Sequence, residues 1–207
     1  ISWDQVQTLL VDLPWIKVVN HLQNKGISAA LNSGLLEVTT PYVALVDQDD
    51  LLHPGAIDFI NKQLEKYKNC SLLYSDHLVF KDDFSSANYV PKFLWNPQAL
   101  LEFNYLIHLT VIKVDLYNQV GGMDSKYDGI QDWEFYLRLS RVIRPHDVIY
   151  LPLPLYAWRL SDKSFASSAK PKLELLNLAK KFLSDHHKFL SEGTEVKLDY
   201  TNTNHYR

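Results

Sequence analysis

The chain has 207 residues, 46% of them hydrophobic and 13% aromatic, and a formal net charge of −3. These values exclude a disordered chain and a general nucleic-acid-binding surface, which is basic as a rule. The length fits one domain, or one domain with an appendage, and the lone Cys70 excludes an internal disulfide and fits a reducing compartment. No apolar run is long enough to span a bilayer, and no signal-peptide pattern starts at Ile1.

In chain order, residues 3–10 predict a short helix that stops before Asp12-Leu13-Pro14. Trp15–Val19 is rich in β-branched residues and predicts a strand. Asn24-Lys25-Gly26 breaks the chain, and a helix is expected over 28–38 with Ala29, Ala30 and Leu31 inward. Tyr42-Val43-Ala44-Leu45-Val46 is apolar without alternation, which predicts a strand buried inside a parallel sheet. Pro54 opens a helix with Ile57, Ile60 and Leu64 as its buried stripe. Leu72–Asp76 is a further strand, and the alternation of strands and helices predicts a doubly wound, mostly parallel α/β sheet flanked by helices.

The second half reads differently. Lys81–Asn88 is a polar loop, and 91–103 is bulky and apolar with a short helix near its end. Leu109–Lys113 is a strand, Gly121-Gly122 a sharp turn, and 131–143 a helix with Glu134 and Arg138 at i,i+4. Val148–Leu151 and Leu155–Arg159 read as two strands parted by Pro152 and Pro154. An amphipathic helix over 171–191 carries Leu176, Ala179, Leu183 and Leu190 in register, and a polar tail follows Gly193. This divides the chain into a body, 1–168, and a C-terminal helix with linker, 169–207.

Chemistry is expected beyond the carboxyl end of the strand that starts at Tyr42, where Asp47-Gln48-Asp49-Asp50 follows. Strand alternation puts Asp47 and Asp49 on one side and Gln48 and Asp50 on the other. Two hard oxygen ligands two residues apart suit Mg2+ or Mn2+ carrying a diphosphate; the same residues also suit a polar turn capping the helix at Pro54. Asp132 suits a helix start whatever else it does. Lys25 reads as a solvated turn residue, His108 as a satisfied, partly buried histidine, Trp158 as core, and His186-His187 as solvated.

Several short motifs occur in a fixed order: Asn24-Lys25-Gly26 with Ala29-Ala30-Leu31-Asn32-Ser33-Gly34; Asp47-Gln48-Asp49-Asp50-Leu51-Leu52-His53-Pro54; Tyr74-Ser75-Asp76; Asn104-Tyr105 with His108; Gly121-Gly122-Met123-Asp124; Gln131-Asp132; and Tyr156-Ala157-Trp158-Arg159. Together, over about 14–168, they resemble the family-2 glycosyltransferases of GT-A fold, in the bacterial branch that builds polysaccharides and surface glycans. The resemblance implies a metal-dependent, inverting transferase that moves a sugar from a nucleotide-diphosphate donor to a hydroxyl of a growing glycan. It implies Asp49 as ligand of Mn2+ or Mg2+, Asp47 at the ribose or the metal shell, and Lys25 and Asn32 along the nucleotide pocket. Asp76 falls near the donor sugar, Trp158 and Arg159 beside the donor site, and Asp132 at the position of the general base.

Three departures from the family pattern stand out. Ala157 replaces a histidine that contributes to the metal, which implies a weaker site or a shift away from imidazole-preferring ions. The first strand–helix–strand unit does not precede Trp15, and the expectation is that the parent protein supplies it before Ile1. The stretch from 171 onward resembles the join between tandem transferase domains, so further such domains in one polypeptide are expected partners beside donor and acceptor. The expected setting is cytoplasmic, at most peripheral to the inner face of a membrane. The alternatives are an inactive transferase-like domain that binds a glycan or a partner domain, which Ala157 motivates, and a nucleotidyltransferase.

Overall fold

The computed structural model describes residues 7, 8, 10, 11, 13–81, 84–160 and 169–191. In chain order the elements are α1 (Ile27–Leu36), β1 (Tyr42–Leu45), β2 (Leu51–Leu52), α2 (Ala56–Lys66), β3 (Leu72–Phe80), β4 (Asn88–Val90), β5 (Thr110–Lys113), α3 (Val114–Gln119), α4 (Gln131–Ser140), β6 (Val148–Arg159) and α5 (Ala169–Ser191). The strands form one sheet in the order β1-β5-β3-β6-β2, with β4 added to β3.

The α/β class with flanking helices is as expected, but the sheet is mixed rather than mostly parallel. Among the described residues only β3 and β6 pair in parallel; β1–β5, β3–β5, β2–β6 and β3–β4 are antiparallel. β1 is not interior. It ends the sheet and is half-buried, because four apolar residues look alike whether a strand is central or at an edge. Trp15–Val19 forms no strand; it pairs with none of the described strands and stays exposed, with Trp15 at 74%. The helix predicted over 3–10 and the tail after Gly193 lie largely outside the described residues.

β6 corrects another expectation. It runs unbroken through Pro152 and Pro154 because its register against β3 slips there: Ser75 faces Leu151, but Asp76 faces Pro154 and His77 faces Tyr156. A bulge is where a strand tolerates residues without an N–H.

β3 carries the core. Leu72 and Tyr74 face α4 and α5, packing with Phe135, Leu139, Phe182 and Leu183. Leu73, one residue out of phase, faces α2 and packs with Ala56, Ile60, Leu151 and Tyr156. The stripe of α2 is rotated from its predicted phase, since Ala56 and Ile60 are buried while Ile57 is half exposed. In α1 the buried residue is Ser28, and Ala30 is exposed. His186 is also buried rather than solvated, and its Nδ1 accepts from Arg141 Nε at 2.9 Å.

Two family-like glycine motifs have local explanations. Gly26 precedes α1 at φ 86°, and the Asp128 carboxylate closes on it to accept the Ser28 N–H at 3.1 Å. A Cβ on Gly26 would lie 2.0 Å from that carboxylate. At Gly121-Gly122, Asn32 binds Met123 through both its amide groups (2.8 and 2.9 Å). Arg138 donates to the carbonyls of Val120 and Gly122 while paired with Glu134 at 2.6 Å.

Candidate active site

The acidic run after β1 is a turn, not extended chain. β1 stops at Leu45, and the Asp50 N–H donates to the Asp47 carbonyl at 3.2 Å. Two-residue alternation lapses there, and the turn folds Asp50 back toward Asp47. Asp47, Asp50 and His108 thus offer ligand atoms that all lie within 4.8 Å of one another. Asp49 is exposed and is not one of this group.

β6 holds the group in place. The Tyr156 hydroxyl donates to Asp50 Oδ2 at 2.5 Å and accepts the Asp47 N–H at 3.1 Å. The Arg159 N–H donates to Asp50 Oδ1 at 2.7 Å, and its Nε to the Asp49 carbonyl at 2.9 Å. The Arg159 guanidinium rests over the Phe80 ring, 4.5 Å from its centre. The His108 ring stacks on Tyr156 at 5.0 Å, with Trp158 tilted against it at 6.0 Å. Trp158 and Arg159 therefore border the acidic group.

Burial raises the Asp47 carboxyl above its ordinary range, and the charge of Asp49 adds to that. Burial also raises Asp50, against the opposing pull of the Arg159 N–H and the Tyr156 hydroxyl. His108 is pushed down to about 4, chiefly by burial, so its imidazole is neutral at pH 7. Two carboxylates and a neutral imidazole fit a small divalent cation, and the nitrogen favours Mn2+ over Mg2+. An imidazole therefore stands by the carboxylates even though Ala157 carries none; Ala157 is buried in the β2–β6 pairing opposite Leu51.

Asp132 sits in the first turn of α4. Its Oδ1 accepts the Trp133 N–H at 2.9 Å and its Oδ2 accepts Asn104 Nδ2 at 3.0 Å. Burial lifts this carboxyl to about 6, and the charge of Asp47 pushes in the same direction. Both charges also act on the buried Tyr136, so the two carboxylates belong to one electrostatic neighbourhood. Asn104 Oδ1 is buried without a partner.

The remaining predicted residues stand elsewhere. Asp76 is sealed in the core and accepts from the Tyr89 hydroxyl, the Lys92 N–H (2.6 Å) and the Tyr150 hydroxyl (2.8 Å). Asn32 is occupied at the glycine turn, where it also accepts from the Tyr117 hydroxyl at 3.0 Å. Lys25 is exposed beside Gly26. The sequence reading gives Asp50 and Tyr156 no role beyond their motifs and does not include Lys92; the Asn104-Tyr105…His108 motif points to the same region. Lys92 threads inward, and its Nζ donates to the carbonyls of Leu106 (3.0 Å) and His108 (2.8 Å). Burial brings its pKa down to about 7, against the pull of Asp76. An open pocket of about 520 Å³ that includes Tyr127, Glu134 and Arg138 contains none of the Asp47 group. Among the described residues no helix is long and apolar enough to cross a membrane.

The fold and this site define an α/β transferase domain of GT-A fold. A search of solved structures supports the fold. One match is Staphylococcus aureus TarS in complex with UDP-GlcNAc, at TM-score 0.63 and 15% identity, covering 95% of this chain and 65% of that one. Another is a mannosyltransferase of Pyrobaculum calidifontis in complex with GDP-Man and Mn2+, at TM-score 0.55 and 14% identity, covering 94% and 52%. The model for glycosyl transferase family 2 matches residues 2–104, and the chain belongs to that family. An uncharacterized protein of Sinorhizobium fredii is 28% identical over 84% of this chain. The O-antigen biosynthesis protein RfbC of Myxococcus xanthus is 25% identical over 87% of it. The chain spans only 19% and 14% of those two proteins, and 61% of a glycosyltransferase of Bacillus subtilis, YwdF, that is 28% identical.

Proposed function

We propose that this domain transfers a glycosyl group from a nucleoside-diphosphate sugar to a hydroxyl of a growing glycan, with inversion at the anomeric carbon. The observation that carries the reading is the convergence of ligand atoms of Asp47, Asp50 and His108 within 4.8 Å of one another; the carboxyl of Asp132, which burial and the charge of Asp47 both raise, supports it. A base needs an affinity for protons near working pH and a place within reach of the acceptor, and Asp132 meets the first requirement. In the displacement the acceptor oxygen bonds to the anomeric carbon as the bond to the diphosphate oxygen breaks. The hydroxyl proton passes to Asp132, and the diphosphate leaves with the electron pair.

Asp47, Asp50 and His108 are the residues that would hold Mn2+ or Mg2+, with Asp49 at the rim of that shell. Bound there, the cation would supply Lewis-acid neutralisation of charge on the departing diphosphate. Arg159 borders the same rim and would add fixed positive charge. The complexes of the structural neighbours with GDP-Man and Mn2+ and with UDP-GlcNAc support a nucleotide-sugar donor. Asp76 and Asn32, whose polar groups are taken up within the protein, have no donor contact in this reading, and neither does the exposed Lys25. An inactive domain is the weaker reading, because His108 offers beside Asp47 and Asp50 the imidazole that Ala157 lacks.

The RfbC match supports a role in bacterial surface-glycan assembly, and we place it in the cytoplasm, with further transferase domains as partners in one polypeptide. The test is Mn2+-dependent binding of uridine diphosphate to the full-length protein, followed by a donor screen that reads released nucleoside diphosphate. Absence of Mn2+-dependent binding across uridine and guanosine diphosphates would overturn the reading.

A further inference from the structure

We propose that Lys92 is a positioning residue that sets His108 as the third ligand of the cation held by Asp47 and Asp50. This rests on the proposal above that a divalent cation occupies that group. A continuous set of contacts leads to it. Asp76, fully buried, fixes the 89–92 segment by accepting the Tyr89 hydroxyl and the Lys92 N–H. The Tyr150 hydroxyl shares its one proton between Asp76 Oδ1 (2.8 Å) and the Lys92 carbonyl (2.9 Å), which ties the Lys92 backbone to β6. From that anchor the side chain spans to the 106–108 segment and donates to two of its carbonyls. The segment has no regular structure of its own, so its position depends on such ties. The ring it presents lies on Tyr156, the residue whose hydroxyl holds Asp50 and the Asp47 backbone.

An apolar side chain would fill the same space without the cost of desolvating an amine. What Lys92 adds is a pair of directed N–H bonds, one to the carbonyl of the residue that carries the imidazole and one to Leu106, two residues before it. Both protonation states of the amine keep two N–H donors, so the tie does not depend on charge. Residues that orient a metal ligand from outside the shell commonly change metal affinity 10–100-fold when lost.

The experiment uses the full-length protein with Mn2+ alone. Pulsed electron paramagnetic resonance reads the nitrogen modulation of a coordinated imidazole, and a Mn2+ titration gives the affinity. In the wild type a nitrogen signal is expected, and His108→Ala should abolish it. Lys92→Met should remove or strongly weaken it and lower Mn2+ affinity by roughly 10–100-fold. Lys92→Arg, which keeps the donors, should restore the signal in part, a rescue that simple loss of packing does not predict. If Lys92→Met does not fold, Lys92→Gln takes its place, with an intermediate signal expected. A wild-type signal and affinity in the folded Met or Gln variant would overturn the role of Lys92 while leaving the cation site standing. Mn2+ uptake indifferent to both Asp50→Asn and His108→Ala would instead overturn the cation site itself.

Discussion

Two corners of the molecule each hold an aspartate, and they use it in opposite ways. At Asp76 the carboxylate is sealed and meets two phenols and a backbone N–H, so its acceptor capacity serves the protein itself. At Asp132 the side chain is partly accessible and meets one amide and the N–H groups of a helix start, and its pKa climbs to about 6. Burial is common to both. The supply of donors and the access to solvent differ, and those decide whether a carboxylate is a fastening or a reagent.

The strongest way to break this contrast is Asp132→Asn. Turnover, read as nucleoside diphosphate released, should fall roughly 10²–10⁴-fold while affinity for uridine diphosphate is kept. Loss of donor affinity instead would remove the role of base. Stability should move in opposite directions at the two corners. Asp76→Asn sets an amide against groups that need an acceptor, and should cost about 3 kcal/mol in urea denaturation at pH 7.

For Asp132 the sign follows from its raised pKa. The carboxyl favours the folded state below the unfolded value near 4, and that contribution is lost as pH rises through about 6. Asp132→Asn should therefore stabilise the fold at pH 7.5, by about 3 kcal/mol at most, and by far less at pH 4. Equal shifts at the two pH values would mean that the carboxyl is not perturbed. For the wild type, kcat/KM should drop on the acid side with a midpoint near 6, and Asp132→Asn should flatten that limb in its residual activity.

The smallest contrast separates two neighbours in the acidic run. Asp50→Asn should weaken Mn2+-dependent binding of uridine diphosphate by roughly 10–100-fold, and Asp49→Asn by about threefold or less, since water can replace a rim contact. The reverse order would return the ligand role to Asp49.

Much of the fold is legible, because β3 is a short run of apolar residues and α2, α4 and the long C-terminal helix carry helical periodicity, although the phase of α2 is off. What the pattern could not reveal was pairing direction, which depends on partners far away in sequence. Trp15–Val19 has the composition of a strand but no ladder partner among the described residues, and composition alone does not make a sheet. Pro152 and Pro154 seemed to divide a strand that a bulge in fact carries through. At the site, Asp47, Asp132, Trp158 and Arg159 are legible only as members of motifs, and the structure adds their surroundings. Asp50 was set aside because strand alternation was extended past Leu45 into what is a turn. His108 and Lys92 were undervalued because their meaning lies in contacts with Tyr156 and with carbonyl groups, which no spacing rule encodes.

The C-terminal helix has one more consequence. Phe182 on α5 meets the Trp133 ring edge-on at 5.3 Å, and the Trp133 indole is pinned to the Leu100 carbonyl at 2.6 Å. Trp133 directly follows Asp132 and donates its N–H to that carboxylate. A helix well downstream thus buttresses the residue next to the proposed base, so a change that displaces Phe182 would reach Asp132 through the Trp133 indole.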